Sequence, residues 1–251
     1  MGILGLIRRA VQLTGFDIVR YSPEWREPDQ FHAYEKLGIV PRVILDVGAN
    51  RGITVDRYLA EYTDARVIAV EPLPHLAEHL SQRYSTHDRT LVVNAAVDRT
   101  CGSRVLHNTL ADGNSSFFRV SEQQRSALGH DDKNQVKESL NVATTTLDRL
   151  AEECQLESID ILKLDVQGAE LLALEGAETL LSERRVRAIY CEVLWAPIYE
   201  GQCNFHDVAA LVSQYGYWLY DLFGANHQMD GSVTHCDALF LSPDVPRGQW
   251  E

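Results

Sequence analysis

The 251-residue sequence is poor in cysteine and contains no two cysteines in C-x-x-C spacing. Its five cysteines are spread between positions 101 and 236. An odd number of widely separated cysteines predicts neither a disulfide framework nor a zinc site, and it fits a reducing compartment. We therefore expect a cytoplasmic protein without a bound metal.

Positive charge is also scarce, since 23 lysines and arginines stand against 36 aspartates and glutamates, a net charge of −13. A nucleic-acid partner needs a basic face, so this composition argues against one. No apolar run reaches the ~20 residues of a membrane-spanning helix. Residues 2–13 have an amphipathic pattern. We expect them to pack on this domain or on a second subunit of a homodimer, and a weak membrane-surface contact is the alternative.

The organisation along the chain indicates a helical lead-in over residues 1–40 and one α/β domain over residues 41–251. Strand and helix patterns alternate as β-α-β-α-β up to a third strand at residues 91–97, which predicts parallel strands with right-handed crossovers. The last two strands have no helix between them and predict an antiparallel hairpin. The pattern as a whole predicts a Rossmann-like, seven-stranded, mostly parallel sheet.

Residues 98–145 interrupt this alternation between the third and fourth strands. We interpret them as an insertion over the ligand-binding edge, on the substrate side. Within it, residues 121–138 are polar and lack a clear period. A stretch of this length is either a functional lid or disordered, and both interpretations are open.

A glycine turn at residues 48–52 joins an apolar strand to a segment with helical spacing. Glycines allow a ligand to approach the backbone, and the first N–H groups of the helix point towards it. Glu71 ends the next strand, where a carboxylate can accept hydrogen bonds from a ribose diol. The alternative is an ordinary turn without a ligand.

The pattern at this turn is D-x-G-x-x-x-G and departs from the G-x-G-x-x-G of dinucleotide sites. It suits S-adenosylmethionine, because Asp46 can bind its ammonium group, the turn can bind its carboxylate and Glu71 can bind its ribose. A nicotinamide-dependent (NAD) oxidoreductase is the alternative, although its glycine fingerprint is missing.

Several motifs together resemble the FkbM-type methyltransferases. They are D-V-G-A-N-R-G (46–52), V-E-P (70–72), N-A-A-V (94–97), S-S (115–116), T-L-D (146–148) and K-L-D-V-Q-G-A-E (163–170). The resemblance covers about residues 40–195, and its most specific element is the last. It implies a class I methyltransferase that uses S-adenosylmethionine to methylate a hydroxyl of a sugar, glycolipid or polyketide-like natural product. A non-catalytic S-adenosylmethionine-binding protein is the alternative.

Three residues of the last motif are predicted to be catalytic. Asp165 ends the fourth strand, where it can serve as the general base, orient the acceptor or cap the following helix. Lys163 lies on the same sheet face by period-two alternation, and a structural ion pair with Asp165 is its alternative role. Glu170 lies in the first helical turn, where the helix dipole already favours a carboxylate, and its site role is implied by the resemblance.

The other predicted site residues lie at strand ends and in the insertion. The predicted cofactor contacts, beside Asp46 and Glu71, are Gly48, Asn50, Gly52, Pro72, Asn94, Ala95, Ala96, Asp165 and Gln167. The predicted acceptor contacts are Ser115, Ser116 and Glu192, and a solvated turn is the alternative for the two serines. Glu192 and Asp237 with Asp165 supply oxygens that suit Mg²⁺, but their spacing has no metal-site signature, and no metal is predicted.

Overall fold

The computed structural model describes residues 29–110, 112–121, 135–228 and 230–247. The predicted amphipathic segment at residues 2–13 lies outside the described residues, as does most of the polar stretch 121–138. Among the described residues, no helix is both long and apolar enough to cross a membrane.

The chain forms ten strands in the described residues. They are β1 (Val43–Val47), β2 (Arg66–Val70), β3 (Thr90–Val93), β4 (Ala96–Val97), β5 (Gly102–Thr109), β6 (Val136–Thr145), β7 (Ile159–Leu164), β8 (Val186–Leu194), β9 (Trp218–His227) and β10 (Val233–Leu241). Seven of them make one sheet in the order β3-β2-β1-β7-β8-β10-β9. β10 is antiparallel to both of its neighbours, and the other pairs are parallel. The predicted seven-stranded sheet with a C-terminal antiparallel hairpin is confirmed.

Helices cover both faces of this sheet. They are α1 (Gln30–Lys36), α2 (Ile53–Glu61), α3 (Pro74–Arg83), α4 (Leu147–Glu153), α5 (Glu170–Glu175), α6 (Glu178–Ser182) and α7 (Phe205–Gln214). Successive strand residues enter opposite cores: Leu45 packs with α4 to α7, and Ile44 packs with α1 and α2. This alternation follows from the period of two in a strand, and both faces of β1 are therefore apolar.

The predicted third strand at residues 91–97 is divided in the structure. β3 ends at Val93, and Ala96–Val97 form the short β4, which pairs with β6 in a second sheet. The prediction of one continuous strand was wrong because β3 is an edge strand, and the chain leaves the main sheet after it to begin the insertion.

The insertion between β3 and β7 is built on a three-stranded sheet in the order β4-β6-β5. Leu106 and Val142 of this sheet pack with Leu73 and Leu76 at the start of α3. The insertion therefore covers the carboxyl ends of β1, β2 and β3. The order of strands in the main sheet reverses between β1 and β7, which is where open α/β sheets bind ligands.

Candidate active site

Two adjoining cavities formed by the described residues lie beyond the carboxyl ends of β1 and β7. The first cavity is lined by Val47, Gly48, Asn50, Glu71, Pro72, Ala95, Ala96, Val97, Leu106, Gly113, Ser115, Phe117, Asp165, Val166 and Gln167. The second cavity is lined by Gly48, Ala49, Asn50, Arg51, Ile53, Thr54, Leu110, Gly113, Lys163 and Asp165. Four residues line both cavities: Gly48, Asn50, Gly113 and Asp165.

Gly48 brings the ends of β1 and β7 into close contact. Its φ is +80°, and its N–H donates to the Val70 carbonyl at 2.9 Å. A Cβ atom at this position would lie 1.9 Å from the carbonyl oxygen of Asp165. Both the backbone conformation and the space therefore require glycine here.

Glu71 is buried and holds the glycine turn in place. Its Oε2 accepts the N–H of Asn50 at 2.8 Å, and its Oε1 accepts the N–H of Leu73 at 2.9 Å. Burial raises the pKa of Glu71 from 4.5 to about 7, although the two N–H donors act in the opposite direction. Each carboxylate oxygen has two lone pairs, so Glu71 can also accept hydrogen bonds from ligand hydroxyls in the first cavity.

Asp46 and Lys163 form a buried ion pair beneath the turn. The Lys163 Nζ lies 3.0 Å from Asp46 Oδ1 and 3.6 Å from Asp165 Oδ2. Burial alone would lower the pKa of Lys163, but the two carboxylates outweigh burial and raise it, so Lys163 keeps its charge. Lys163 thus serves as a fixed cation at the wall of the second cavity and not as a base.

Asp46 itself lines neither cavity, as the described residues define them, and its side chain is fully buried. Burial raises its pKa, and Lys163 opposes this shift. The predicted contact between Asp46 and a ligand ammonium therefore has no support in the geometry. Strand register explains the difference, because Asp46 lies directly opposite Lys163 on the paired strand β7.

Asp165 presents a carboxylate where the two cavities meet. Its side chain is 43% exposed, and its Oδ1 accepts a hydrogen bond from the Gln167 Nε2 at 2.9 Å. Its N–H donates to the Val47 carbonyl at 3.1 Å, which anchors its backbone to β1. The N-terminal cap of α5 is Ala169, with no side-chain hydrogen bond, so Asp165 does not cap that helix.

Glu170 supports the turn after β7 from below. Its side chain is fully buried, and its Oε1 accepts the N–H of Val166 at 3.0 Å. Burial raises the pKa of Glu170 to about 7. Glu170 does not line either of the two cavities made by the described residues, so the geometry gives it a role in shaping the turn.

Gln167 connects Asp165 to two further residues. Its Nε2 also donates to Glu192 Oε2 at 3.1 Å, and its Oε1 accepts the hydroxyl of Tyr199 at 2.5 Å. Gln167 lines the first cavity, but both of its N–H donors are already directed at carboxylates. Glu192 is next to the site without lining either cavity defined by the described residues, and burial and the charge of Asp165 raise its pKa.

Several predicted contacts do line the first cavity. They are Pro72, Ala95, Ala96 and Ser115. The Ser115 hydroxyl donates to Asn108 Oδ1 at 2.9 Å, which holds the serine within the insertion. The insertion also lines the second cavity through Leu110 and Gly113, so it covers both cavities and not the substrate side alone.

Three other predicted contacts support the site from outside the two cavities formed by the described residues. The Asn94 amide donates to the carbonyls of Glu71 and Pro72 at 2.8 and 3.1 Å. The Ser116 hydroxyl donates to the Gln167 carbonyl at 2.6 Å. Gly52 has a φ of +83°, and a Cβ there would lie 2.5 Å from the Tyr84 hydroxyl.

Sequence reasoning missed the apolar wall of the first cavity. Val97, Leu106, Phe117 and Val166 form this wall. Leu106 lies between the exposed Val105 and the half-buried His107 in β5, which is only a weak signal of an inward direction. No sequence pattern singles out Phe117, because it lies in a short irregular stretch beside a second phenylalanine.

Among the described residues, no group of three or more histidine, cysteine, aspartate or glutamate side chains is arranged to hold a metal ion. Asp237 instead accepts the Tyr190 hydroxyl at 2.7 Å.

The strand order and the site at the reversal of that order define a class I methyltransferase fold. A family model described as the methyltransferase FkbM domain matches residues 46–219. The chain therefore belongs to the FkbM methyltransferase family. This membership decides against the alternative of a nicotinamide-dependent oxidoreductase.

Two known proteins illustrate the similarity. The chain is 30% identical over 176 residues to the 2-O-methyltransferase NoeI of Sinorhizobium fredii, across 69% of this chain and 72% of NoeI. Its fold is similar to the crystal structure of an FkbM methyltransferase from Methylobacillus flagellatus, with a TM-score of 0.50 and 15% identity. That match covers 80% of this chain and 43% of the other, so this chain spans less than half the length of that protein.

Proposed function

We propose that the protein is an S-adenosylmethionine-dependent O-methyltransferase that acts on a hydroxyl of a sugar, glycolipid or polyketide-like natural product. One observation carries the proposal: the Asp165 carboxylate, fixed by Gln167 and close to the Lys163 ammonium, lines both cavities where they meet. The name of the relative NoeI specifies a 2-O-methyltransferase. We therefore rank a sugar 2-hydroxyl first among the acceptors.

The first cavity has the chemistry that an adenosyl group requires. Its apolar wall, with Leu106 and Phe117, suits a purine ring, and Glu71 supplies acceptors for ribose hydroxyls. S-adenosylmethionine, when bound, supplies a methyl group that is already activated by the sulfonium.

Asp165 then performs the proton chemistry of the reaction. The Asp165 carboxylate would accept the proton of the acceptor hydroxyl and act as the general base. The bound cofactor would supply the methyl group and keep the electron pair of the broken sulfur–carbon bond, leaving as S-adenosylhomocysteine. The Lys163 ammonium attracts this carboxylate from 3.6 Å, and the Gln167 amide fixes its orientation. The chain thus contributes mainly alignment and one proton acceptor.

The second cavity has the mixed surface expected for such an acceptor. Thr54 and Lys163 add polar groups to its lining, and Ile53 and Leu110 are exposed aliphatic residues. A hydroxylated ring that has one apolar face matches this combination. The net charge of −13 favours a small-molecule or lipid-linked acceptor over a nucleic acid.

The test is methyl transfer from isotope-labelled S-adenosylmethionine to a panel of methyl glycosides, each assayed beside its 2-deoxy counterpart. We expect label in a glycoside, lost in the 2-deoxy compound, with the methylated oxygen identified by mass spectrometry. Lipid-linked glycosides and hydroxylated polyketides complete the panel. Binding of S-adenosylmethionine without transfer to any of these hydroxyls would contradict the proposed function.

A further inference from the structure

Three segments that are distant in sequence meet at Gln167. Its backbone carbonyl accepts the Ser116 hydroxyl from the insertion at 2.6 Å. Its side-chain Oε1 accepts the Tyr199 hydroxyl from the loop after β8 at 2.5 Å. Gln167 itself has a φ of +54°, an uncommon conformation for a residue other than glycine, so its surroundings must hold it in place.

The hydrogen bonds of Gln167 define which way its amide points. The Nε2 faces two carboxylate groups, Asp165 Oδ1 at 2.9 Å and Glu192 Oε2 at 3.1 Å. If the amide were rotated by 180°, Oε1 would face these two carboxylates, and the two N–H groups of Nε2 would lose both carboxylate acceptors. The donor on the other side is the Tyr199 hydroxyl, so this hydroxyl favours the orientation in which Gln167 binds Asp165.

We propose that Tyr199 is a positioning residue for methyl transfer, which acts through the Gln167 amide to hold the Asp165 carboxylate at the junction of the two cavities. This inference rests on the proposed function. Tyr199 does not line either cavity formed by the described residues, so it influences the reaction through Gln167 and not by contact with a ligand.

The surroundings of Tyr199 make it a rigid support. Tyr199 is 6% exposed and packs with Val120 and Leu194. A bridge joins its backbone to Val120, and its N–H donates to Gln202 Oε1 at 2.6 Å. Burial, followed by the charge of Glu192, raises the pKa of Tyr199, so its hydroxyl keeps the proton that it donates.

The turn after β7 is also shaped to contact Tyr199. Gly168 has a φ of +91°, and a Cβ there would lie 3.2 Å from the Tyr199 Cδ2 and 3.1 Å from the Gln202 Cβ. The backbone of the turn therefore packs directly on the loop after β8. Tyr199 is consequently in position to transmit the arrangement of this loop to Asp165.

The test compares Tyr199→Phe with Tyr217→Phe. Tyr217 is a matched control, because it is buried and its hydroxyl donates one hydrogen bond, to the Val186 carbonyl at 2.6 Å, away from the site. Three quantities are measured for both variants: the melting temperature, the Kd for S-adenosylmethionine by calorimetry, and kcat. The acceptor for kcat is the glycoside that the unaltered protein methylates fastest.

We expect kcat of Tyr199→Phe to fall about tenfold, the scale of one lost hydrogen bond, and that of Tyr217→Phe to stay within about twofold. The Kd for S-adenosylmethionine should stay within about twofold in both. Equal kcat values for the two variants would overturn the proposal. A Kd that weakens in Tyr199→Phe as much as kcat falls would also overturn it, because Tyr199 would then act on the cofactor site.

Two further measurements keep the inference separate from other failures. If Tyr199→Phe does not fold, Gln167→Met removes the amide at similar length, and a similar loss of kcat is expected. A kcat equal to that of the unaltered protein would overturn the proposal. If the unaltered protein transfers no methyl group, the proposed function fails. Crystal structures of Tyr199→Phe and Tyr217→Phe then test the inference. A turned Gln167 amide and a displaced Asp165 in Tyr199→Phe alone would support it. Unchanged positions in Tyr199→Phe would overturn it.

Discussion

The turns after β1 and β7 are built alike but have different tasks. Each leads into a helix, and each is held by a buried glutamate that accepts a backbone N–H of the turn, Glu71 from Asn50 at 2.8 Å and Glu170 from Val166 at 3.0 Å. Burial raises the pKa of both glutamates to about 7. Glu71 belongs to the neighbouring strand end and lines the first cavity, whereas Glu170 lies beneath its own turn.

The difference shows that the same local device can serve a ligand or only the fold. A glutamate that reaches a turn from the adjacent strand remains at the sheet edge, where ligands bind. A glutamate that reaches it from the following helix is covered by that helix and by Cys203, whose Sγ is 3.8 Å from its Oε2. Affinity, turnover and stability measurements separate the two turns.

The largest effect is expected at Asp165, in the turn after β7. Asp165→Asn removes the proton acceptor and should lower kcat by about 10²- to 10⁴-fold, the scale of general-base catalysis. The Kd for S-adenosylmethionine should change by less than about threefold if this turn serves the acceptor step, which is the low end of the effect of one hydrogen bond. Asp244→Asn, at an exposed aspartate near Arg184, is the control and should leave both values unchanged. Full turnover in Asp165→Asn would exclude Asp165 as the base.

The next effect is expected at Gly48, where the two turns touch. Gly48→Ala adds a methyl group against the Asp165 carbonyl and an unfavourable φ, which should cost roughly 2–5 kcal/mol of stability. Gly231→Ala is the control, because Gly231 has a similar φ of +86° and no atom within 4 Å of its added Cβ. Thermal melting compares the two variants. Similar losses in both would show that contact between the turns has no energetic role.

A paired exchange distinguishes the two glutamates themselves. Glu71→Gln replaces one acceptor oxygen in the first cavity and should weaken S-adenosylmethionine binding by about 1–3 kcal/mol. Glu170→Gln keeps an acceptor for the Val166 N–H and should leave that affinity unchanged. Calorimetric titration measures both. Equal weakening in the two variants would remove the distinction between the turns.

The smallest effect is a change in the pH dependence of stability. The pKa of Glu170 is about 7 in the folded protein, against an ordinary value of 4.5. Between these pH values the folded state binds more protons than the unfolded state, so Glu170 makes stability fall as pH rises. Glu170→Gln lacks this loss. Its free energy of unfolding, relative to that of the unaltered protein, should therefore rise by about 1–3 kcal/mol from about pH 5 to about pH 8.

Urea unfolding at these two pH values measures that gain. The gain should appear at the higher pH, where the buried carboxylate is ionised in the unaltered protein. If Glu170→Gln were equally stable relative to the unaltered protein at both pH values, Glu170 would not be a buried carboxyl with a raised pKa.

The turn after β1 could be predicted from the sequence because its signals are local. An apolar strand, two glycines and a carboxylate at the next strand end fall within 29 residues, and the structure has Gly48 and Glu71 at the first cavity. The seven-stranded sheet was predictable for the same reason, since strand and helix periods alternate along the chain. The pairing of Asp46 with Lys163 was not predictable, because a period of two gives the face of a residue but not its partner on the adjacent strand.

The surroundings of Asp165 could be predicted only in part. The motif at residues 163–170 identified Asp165 and its neighbour Lys163. The sequence did not identify Tyr199, because it contacts Gln167 from a loop 32 residues further on and no repeating pattern marks it. Long-range packing decides such contacts, and a single sequence carries no periodic signal for them.

The most direct test of the two-cavity account is a crystal structure with S-adenosylhomocysteine bound. We expect the adenine in the first cavity against Phe117 and Leu106, the ribose hydroxyls hydrogen-bonded to Glu71, and the sulfur near Asp165 at the junction of the cavities. An adenine bound in the second cavity, or a ribose without contact to Glu71, would contradict the assignment of the first cavity to the methyl donor.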